Sequence, residues 1–356
     1  MNPSTDAHPL ASVSFAAVGR APAESASRLA NVFETILGAH LSAYDPWLYQ
    51  YCGDVAGPEQ ARKYLQYRID LLGFGRADPR EKRILDAGCG FGFGLIAYAL
   101  LGAKEAHGID IHRPMLDTLR AYLPLLPADI SRVISVTEAD AANMLVDDEF
   151  FDIVVSNEAI SHYADVDGFL KEALRVVCRG GTLLIADGNN AMNPTIRRKT
   201  REVWRAFEIG SETQWLHTHR IDKSYRRRRA EIIAERFPQA STEDIEMLSA
   251  RTFGMTAAQV ARATGRYYSN GVKPSSLFTG DEVPVDPDTG IVIERLFDPF
   301  ELAARLEQLG FRVRIAGYWG GAAGSLWVRL GNKALTAASR MMIRTAKSFR
   351  IAATKP

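Results

Sequence analysis

Between residues 83 and 186, short apolar runs alternate with longer amphipathic ones. The runs at 83–86, 106–110, 133–137, 151–156 and 182–186 are short, mostly apolar and bounded by polar or glycine residues, which predicts strands. The intervening segments 95–101, 114–122 and 166–177 repeat apolar side chains every three or four positions, which predicts helices. The turn Arg179-Gly180-Gly181 is expected to separate the last helix from the fifth strand. Strands alternating with helices imply a parallel sheet covered on both faces.

The pattern differs on either side of this block. Upstream, Leu29, Val32, Phe33, Ile36 and Leu37 fall at helical spacing, an aromatic cluster runs from Tyr44 to Tyr51, and a helix is expected over 58–73 with Gly73 as its cap. After Asp187 the alternation stops until residue 297. Asn193-Pro194 has the form of a helix start, 196–237 reads as helical and basic, and Pro284, Pro287 and Gly290 mark loops. Asp298-Pro299 opens another helix ending at Gly310, and 311–318 and 349–353 supply a sixth and a seventh strand.

The expected fold class is therefore α/β: a doubly wound, seven-stranded, mostly parallel, Rossmann-like sheet. It carries an N-terminal helical cap and a large, mostly helical insertion after the fifth strand. The expected divisions are a disordered leader rich in Ala, Ser and Pro (1–27), the cap (28–80), the core (81–190), a substrate-recognition lid (191–297) and a completion of the core (298–356) with a basic amphipathic helix.

The chemistry sits where the first strand ends, in Asp86-Ala87-Gly88-Cys89-Gly90-Phe91-Gly92. Glycines let a backbone turn tightly and approach a ligand closely, and in such sheets ligands bind beyond the carboxyl ends of the strands. A second register, Gly92-Phe93-Gly94-Leu95-Ile96-Ala97, imitates a dinucleotide fingerprint but starts six residues past Asp86. An acid beside the glycines suits a sulfonium ligand with an amino group better than a pyrophosphate. Asp110 ends the second strand, where a carboxylate can accept from both ribose hydroxyls. Asp140 follows the third strand and can accept from an adenine amino group, and Asn157 follows the fourth.

In this order the residues resemble the class I S-adenosylmethionine-dependent methyltransferase family, over 82–187 and the helix–strand pair at 298–318. The resemblance implies S-adenosyl-L-methionine as cofactor. It implies that Asp86, Gly88, Gly90 and Gly92 hold the methionyl group, with Asn157 beside it, that Asp110 and the adjacent Ile111 meet the ribose, and that Asp140 and Ala141 frame the adenine. It further implies methyl transfer to a small molecule or glycan, with oxygen the favoured acceptor. A nicotinamide-dependent oxidoreductase and a non-catalytic cofactor-binding module are the alternatives.

Methyl transfer needs in-line positioning, and a general base where the nucleophile keeps its proton. His162 is the candidate base. Glu158, four residues earlier, could share a helical face with it and orient it or join it at a metal; two ligands make a weak metal case, and no metal is expected. Tyr44 and Trp47 from the leading segment, Asn189 and Asn190 after the fifth strand, and Arg197 are the candidate substrate contacts. An Asn/Asp-Pro-Pro-aromatic sequence after the fourth strand would mark amino-methylation of nucleic-acid bases; Ser156-Asn157-Glu158-Ala159 stands there instead.

Composition narrows the partners. Hydrophobic residues are 47% and charged residues 24%, ordinary for a globular chain, and the net charge of +1 argues against a nucleic-acid partner. The stretch 191–236 carries +6, with clusters at Arg197, Arg198, Lys199 and Arg201 and at Arg226 to Arg229, which suits an anionic or lipid-linked acceptor. Lys333, Arg340, Arg344 and Lys347 fall on one helical face opposite Leu335, Ala338 and Met342, a pattern compatible with peripheral contact to an anionic membrane. His217-Thr218-His219 lacks the further ligands a metal site requires. Cys52, Cys89 and Cys178, three and widely spaced, fit a reducing compartment, and a cytoplasmic location is expected. The oligomeric state is left open.

Overall fold

The computed structural model describes residues 21–216, 219–320 and 326–356. Three helices lead: α1 (Ala23–Ala39), α2 (Trp47–Val55) and α3 (Pro58–Gly75). The alternating block follows as β1 (Arg83–Ala87), α4 (Phe93–Leu100), β2 (Glu105–Asp110), α5 (Arg113–Tyr122), α6 (Ala128–Ser131), β3 (Ile134–Glu138), β4 (Phe151–Asn157), α7 (Val166–Val176) and β5 (Val177–Asp187). The insertion holds α8 (Pro194–Ile209), a hairpin of β6 (Gln214–Leu216) and β7 (His219–Ile221), then α9 (Tyr225–Arg236), α10 (Thr242–Arg251) and α11 (Ala257–Asn270). The chain ends with α12 (Pro299–Gln308), β8 (Arg312–Tyr318), α13 (Leu326–Ala337), α14 (Ser339–Met342) and β9 (Ser348–Thr354).

The seven-stranded sheet has the order β3-β2-β1-β4-β5-β9-β8. β1 to β5 run parallel, and β9 lies antiparallel between β5 and β8. The order reverses between β1 and β4, which opens a crevice at their carboxyl ends. Alternation along each strand builds two cores. Ile84, Ile153, Val155, Leu184 and Ala352 pack against α1, α3 and α4, while Leu85, Val154, Leu183, Ile185 and Ile351 pack against α7 and α12. A third, smaller core of Ile232, Ile233, Leu248 and Val260 ties α9, α10 and α11 together inside the insertion.

The structure corrects several expectations. α1 begins at Ala23, inside the expected leader, with Ala26 already buried. Gly73 lies within α3, and the left-handed cap is Arg76. The expected turn at Arg179-Gly180-Gly181 is absorbed into β5, because Phe151 pairs with Val177 across a register shift and Lys355 bonds Gly180 and Gly181. The insertion breaks for the hairpin, whose antiparallel register runs from Gln214↔Ile221 to Leu216↔His219. The single basic helix is three pieces, α13, α14 and a 3-10 turn at Ile343–Thr345. Arg344 therefore sits in that turn and Lys347 beyond it, off the face of α13. No described helix is long and apolar enough to cross a membrane.

Candidate active site

An aspartate stands at or within two residues of the end of each of the first three strands: Asp86, Asp110 and Asp140. Asp86 is buried in β1 at the start of the glycine turn. Gly88 and Gly92 have φ of +76° and +74°, and a Cβ at Gly92 would stand 2.2 Å from Leu119 Cδ1. A side chain at Gly92 would therefore strain the backbone and strike α5 together. The amides of Gly88 and Cys89 donate to Ile109 O, which pins the turn to β2. Asp110 accepts from Gly90 N at 2.8 Å through Oδ2 and from His112 N at 2.8 Å through Oδ1, so its carboxylate is fixed with lone pairs to spare. Ile111 next to it is exposed. Asp140 is exposed, accepts from Ala142 N, and is followed by buried Ala141. Asn157 ends β4, and its buried Oδ1 has no partner.

The motif reading missed Arg68 on α3. Its guanidinium is buried and donates to Tyr64 Oη at 2.7 Å, while Nε and Nη1 have no partner. A Cβ on Gly94 would lie 2.3 Å from Asp86 Oδ2 and 3.6 Å from Arg68 Cζ, so both charges flank this glycine. No ion pair joins them among the described residues. Burial pushes the Asp86 carboxyl up to about 7, with Arg68 pulling it down and Asp110 pushing it up. The signal for Arg68 was in the sequence: Ala61, Leu65, Arg68 and Leu72 fall at i, i+4, i+7 and i+11, the stripe α3 buries.

The second missed residue is Tyr163. Its hydroxyl donates to Ala87 O at 2.8 Å, lies 3.0 Å from Ser156 Oγ, and so locks the segment after β4 beneath the glycine turn.

Glu158 and His162 do not share a helical face. Glu158 is left-handed at φ +52°, and the segment continues as a three-residue 3-10 turn, Ile160–His162. His162 is exposed, with Nδ1 3.4 Å from Val292 O of the insertion. Glu158 is exposed on one side and held by hydrogen bonds on the other. Tyr67 Oη donates to Glu158 Oε1 at 3.1 Å, and Gly188 N donates to Oε2 at 2.9 Å. Asp187, fully buried on the neighbouring strand, accepts from Asn189 N at 2.8 Å and Ser161 N at 3.3 Å. Burial raises both carboxyls, and the charge of Asp187 adds to the rise at Glu158.

The expected substrate contacts divide. Trp47 is exposed at the start of α2, and Tyr51 of the same helix stands edge-on to Phe91 of the glycine turn, 5.8 Å between centroids. Tyr44 is buried in the core on the α1 side and packs rather than faces the cleft. Asn190 is also fully buried: its Nδ2 donates to Ile343 O and Ala346 O and its Oδ1 accepts from Met192 N, so it ties the C-terminal segment to β5 and has no group left for a substrate. Asn189 remains half-buried beside Asp187. Arg197 is exposed on α8. The cluster at Arg226 to Arg229 is largely neutralised. Arg227 pairs with Glu212 and Glu231, Arg228 with Asp288, Glu231 and Glu235, and Arg229 forms a buried pair with Glu208.

His217 and Thr218 lie outside the described residues, as does the side chain of His219. Among the described residues no three metal-ligating side chains converge. A cavity of about 600 Å³ lies between α7, α12 and the insertion, lined by Asp165, Trp204, Glu282 and Arg295 among others. None of Asp86, Asp110 and Asp140 lines it.

A family model described as a methyltransferase domain matches residues 85–185. The chain is 33% identical over 165 residues to the 2-methyl-6-phytyl-1,4-hydroquinone methyltransferase of Synechocystis sp., covering 42% of this chain and 50% of that one. It is 33% identical over 164 residues to a ubiquinone biosynthesis O-methyltransferase of Mesorhizobium japonicum, covering 43% and 59%. The chain thus spans about half the length of the curated relatives it matches. Among solved structures, an S-adenosylmethionine dependent methyltransferase from Mesorhizobium loti aligns at 15% identity and a TM-score of 0.41, covering 79% of this chain and 94% of that one. Residues 85–185 thus match a methyltransferase domain, and this part of the chain is similar to S-adenosylmethionine-dependent methyltransferases.

Proposed function

We propose that the protein transfers a methyl group from S-adenosyl-L-methionine to a hydroxyl of a small molecule. The observation that carries this reading is the nearness of Asp86 and Arg68, both buried, not ion-paired to each other, and with Arg68 Nε and Nη1 without partners, beside a glycine turn whose next two strands end at Asp110 and just before Asp140. A zwitterionic amino-acid end fits such a pair: Asp86 accepts from its ammonium and Arg68 donates to its carboxylate. Asp110 takes the ribose hydroxyls. Asp140 takes the adenine amino group, with Ile111 and Ala141 against the ring. Asn157 Oδ1 is free to meet the methionyl portion. The cofactor supplies an activated methyl on a sulfonium, so the chain's own task is alignment, desolvation and removal of one proton.

The relative named for O-methylation in ubiquinone biosynthesis favours an oxygen acceptor, and the relative named for a hydroquinone favours a phenol-bearing substrate. The glycan and lipid-linked alternatives lose part of their support, since Arg227, Arg228 and Arg229 are paired within the insertion. The deciding experiment supplies methyl-labelled S-adenosylmethionine with 1,4-hydroquinones and other phenols. Label in a methyl ether supports the reading, and label on nitrogen or carbon, or none, contradicts it.

A membrane-surface contact has one observation in its favour: Trp327 of α13 and Met341 of α14 are 80% and 81% exposed. Such side chains suit the boundary of a bilayer. Co-sedimentation with anionic vesicles that is lost on Trp327→Ala supports this contact.

A further inference from the structure

We infer that Glu158 is the general base that takes the proton of the acceptor hydroxyl, and that Tyr67 is the residue that positions it. This rests on the methyl-transfer reading above. Glu158 directly follows the strand beside the glycine turn, in a backbone conformation that a non-glycine residue adopts at a cost of order 1 kcal/mol. Two bonds hold it there, Glu158 N to Ala186 O at 2.7 Å and Gly188 N to Oε2 at 2.9 Å. Strain maintained by neighbouring strands is characteristic of a functional position.

With Oε2 engaged by the backbone, Oε1 is the working oxygen. It already receives a phenol hydroxyl, from Tyr67 at 3.1 Å. A carboxylate oxygen has two acceptor directions, so a second hydroxyl can approach from the open side. The step balances within the site. The acceptor O–H bond breaks toward Glu158, the oxygen forms its bond to the methyl carbon, and the carbon–sulfur bond leaves its electron pair on sulfur.

The surroundings tune this carboxyl for that task. Burial and Asp187 of β5 raise it; Tyr67 and Arg68 of α3 and the Gly188 amide lower it. Glu294 of the insertion acts on Asp187, and behind Tyr67 the Arg350 guanidinium of β9 lies 5.0 Å from its ring and 3.5 Å from that of Tyr318. A base held above the ordinary carboxylate range is a better proton acceptor near neutrality. His162 instead faces the insertion at Val292.

The test uses the full chain saturated with S-adenosylhomocysteine and titrated with 4-nitrophenol, whose colour reports ionisation of its hydroxyl. In the unaltered protein the bound probe should appear as phenolate, with an acid limb above the ordinary carboxylate range. Glu158→Gln should abolish that signal, and His162→Ala should keep it. Tyr67→Phe removes a hydrogen bond that favours the charged carboxylate, so its acid limb should move to higher pH, which a merely structural role would not produce. With any phenol that turns over, Glu158→Gln should slow single-turnover methyl transfer about 10²- to 10⁴-fold. A Glu158→Gln titration identical to that of the unaltered protein, loss of signal in His162→Ala, or no phenolate in the unaltered protein would each overturn the assignment. Cofactor binding by calorimetry is read separately, so failure of the base leaves the methyl-donor reading standing or falling by itself.

Discussion

Asp86 and Arg68 both approach Gly94 without forming an ion pair with each other. A buried carboxylate and guanidinium at this proximity ordinarily close into an ion pair, since an unpaired buried charge is costly. On the proposed function, they receive the two charges of the methionyl end of the cofactor. Arg68→Met should therefore weaken S-adenosylmethionine binding by about 1.5–3 kcal/mol, roughly 10- to 150-fold. Arg68→Lys should restore only part of that loss, because an ammonium cannot reproduce the guanidinium fork. Calorimetric titration of the variants checks both.

The raised Asp86 carboxyl gives binding a pH dependence. In the free protein it is protonated below about 7, whereas a bound ammonium needs it charged. Affinity should fall by up to about tenfold per pH unit below that point, with proton release on binding. Titrations in buffers of different ionisation enthalpy measure the released proton. The stability effect has the opposite sense. Between about pH 4 and 7 the folded chain holds a proton that the unfolded chain has lost, so this group's contribution declines as pH rises through that window.

Gly92→Ala places a methyl 2.2 Å from Leu119 Cδ1 at a φ of +74°. Overpacking and backbone strain each cost about 1–3 kcal/mol. Thermal unfolding should begin several degrees lower, with cofactor binding lost in the same variant. Gly90→Ala meets Met115 Sδ at 3.7 Å and should be milder.

The sheet was legible because each strand combines an apolar run with a polar or glycine boundary. The strand limits at 83–87, 105–110 and 151–157 agree with the pattern to within a residue or two. The hairpin was not, since three-residue strands leave no periodicity to detect. The placement of Asp86, Asp110 and Asp140 at or near strand ends was readable from the apolar runs that precede them. Arg68 was passed over because an arginine in a helix is ordinarily solvated, and its neighbour Asp86 comes from another element. Asn190 was misread for the converse reason: its partners, Ile343 and Ala346, lie over 150 residues away.

The insertion holds a testable joint of its own. Arg229 and Glu208 are both buried, and Arg229 also donates to Ser249 O at 3.1 Å, joining α9 to α8 and α10. Arg229→Ala leaves Glu208 buried and unpaired, which should cost about 3–5 kcal/mol. Limited proteolysis should then cut the insertion before the core.

The most direct test of the whole account is calorimetric titration of the unaltered protein with S-adenosylmethionine and, separately, with NADH. The arrangement of Asp86, Arg68 and Asp110 predicts one saturable site for S-adenosylmethionine that Asp86→Ala abolishes, and no heat of binding from NADH. Binding of NADH with none of S-adenosylmethionine would contradict it.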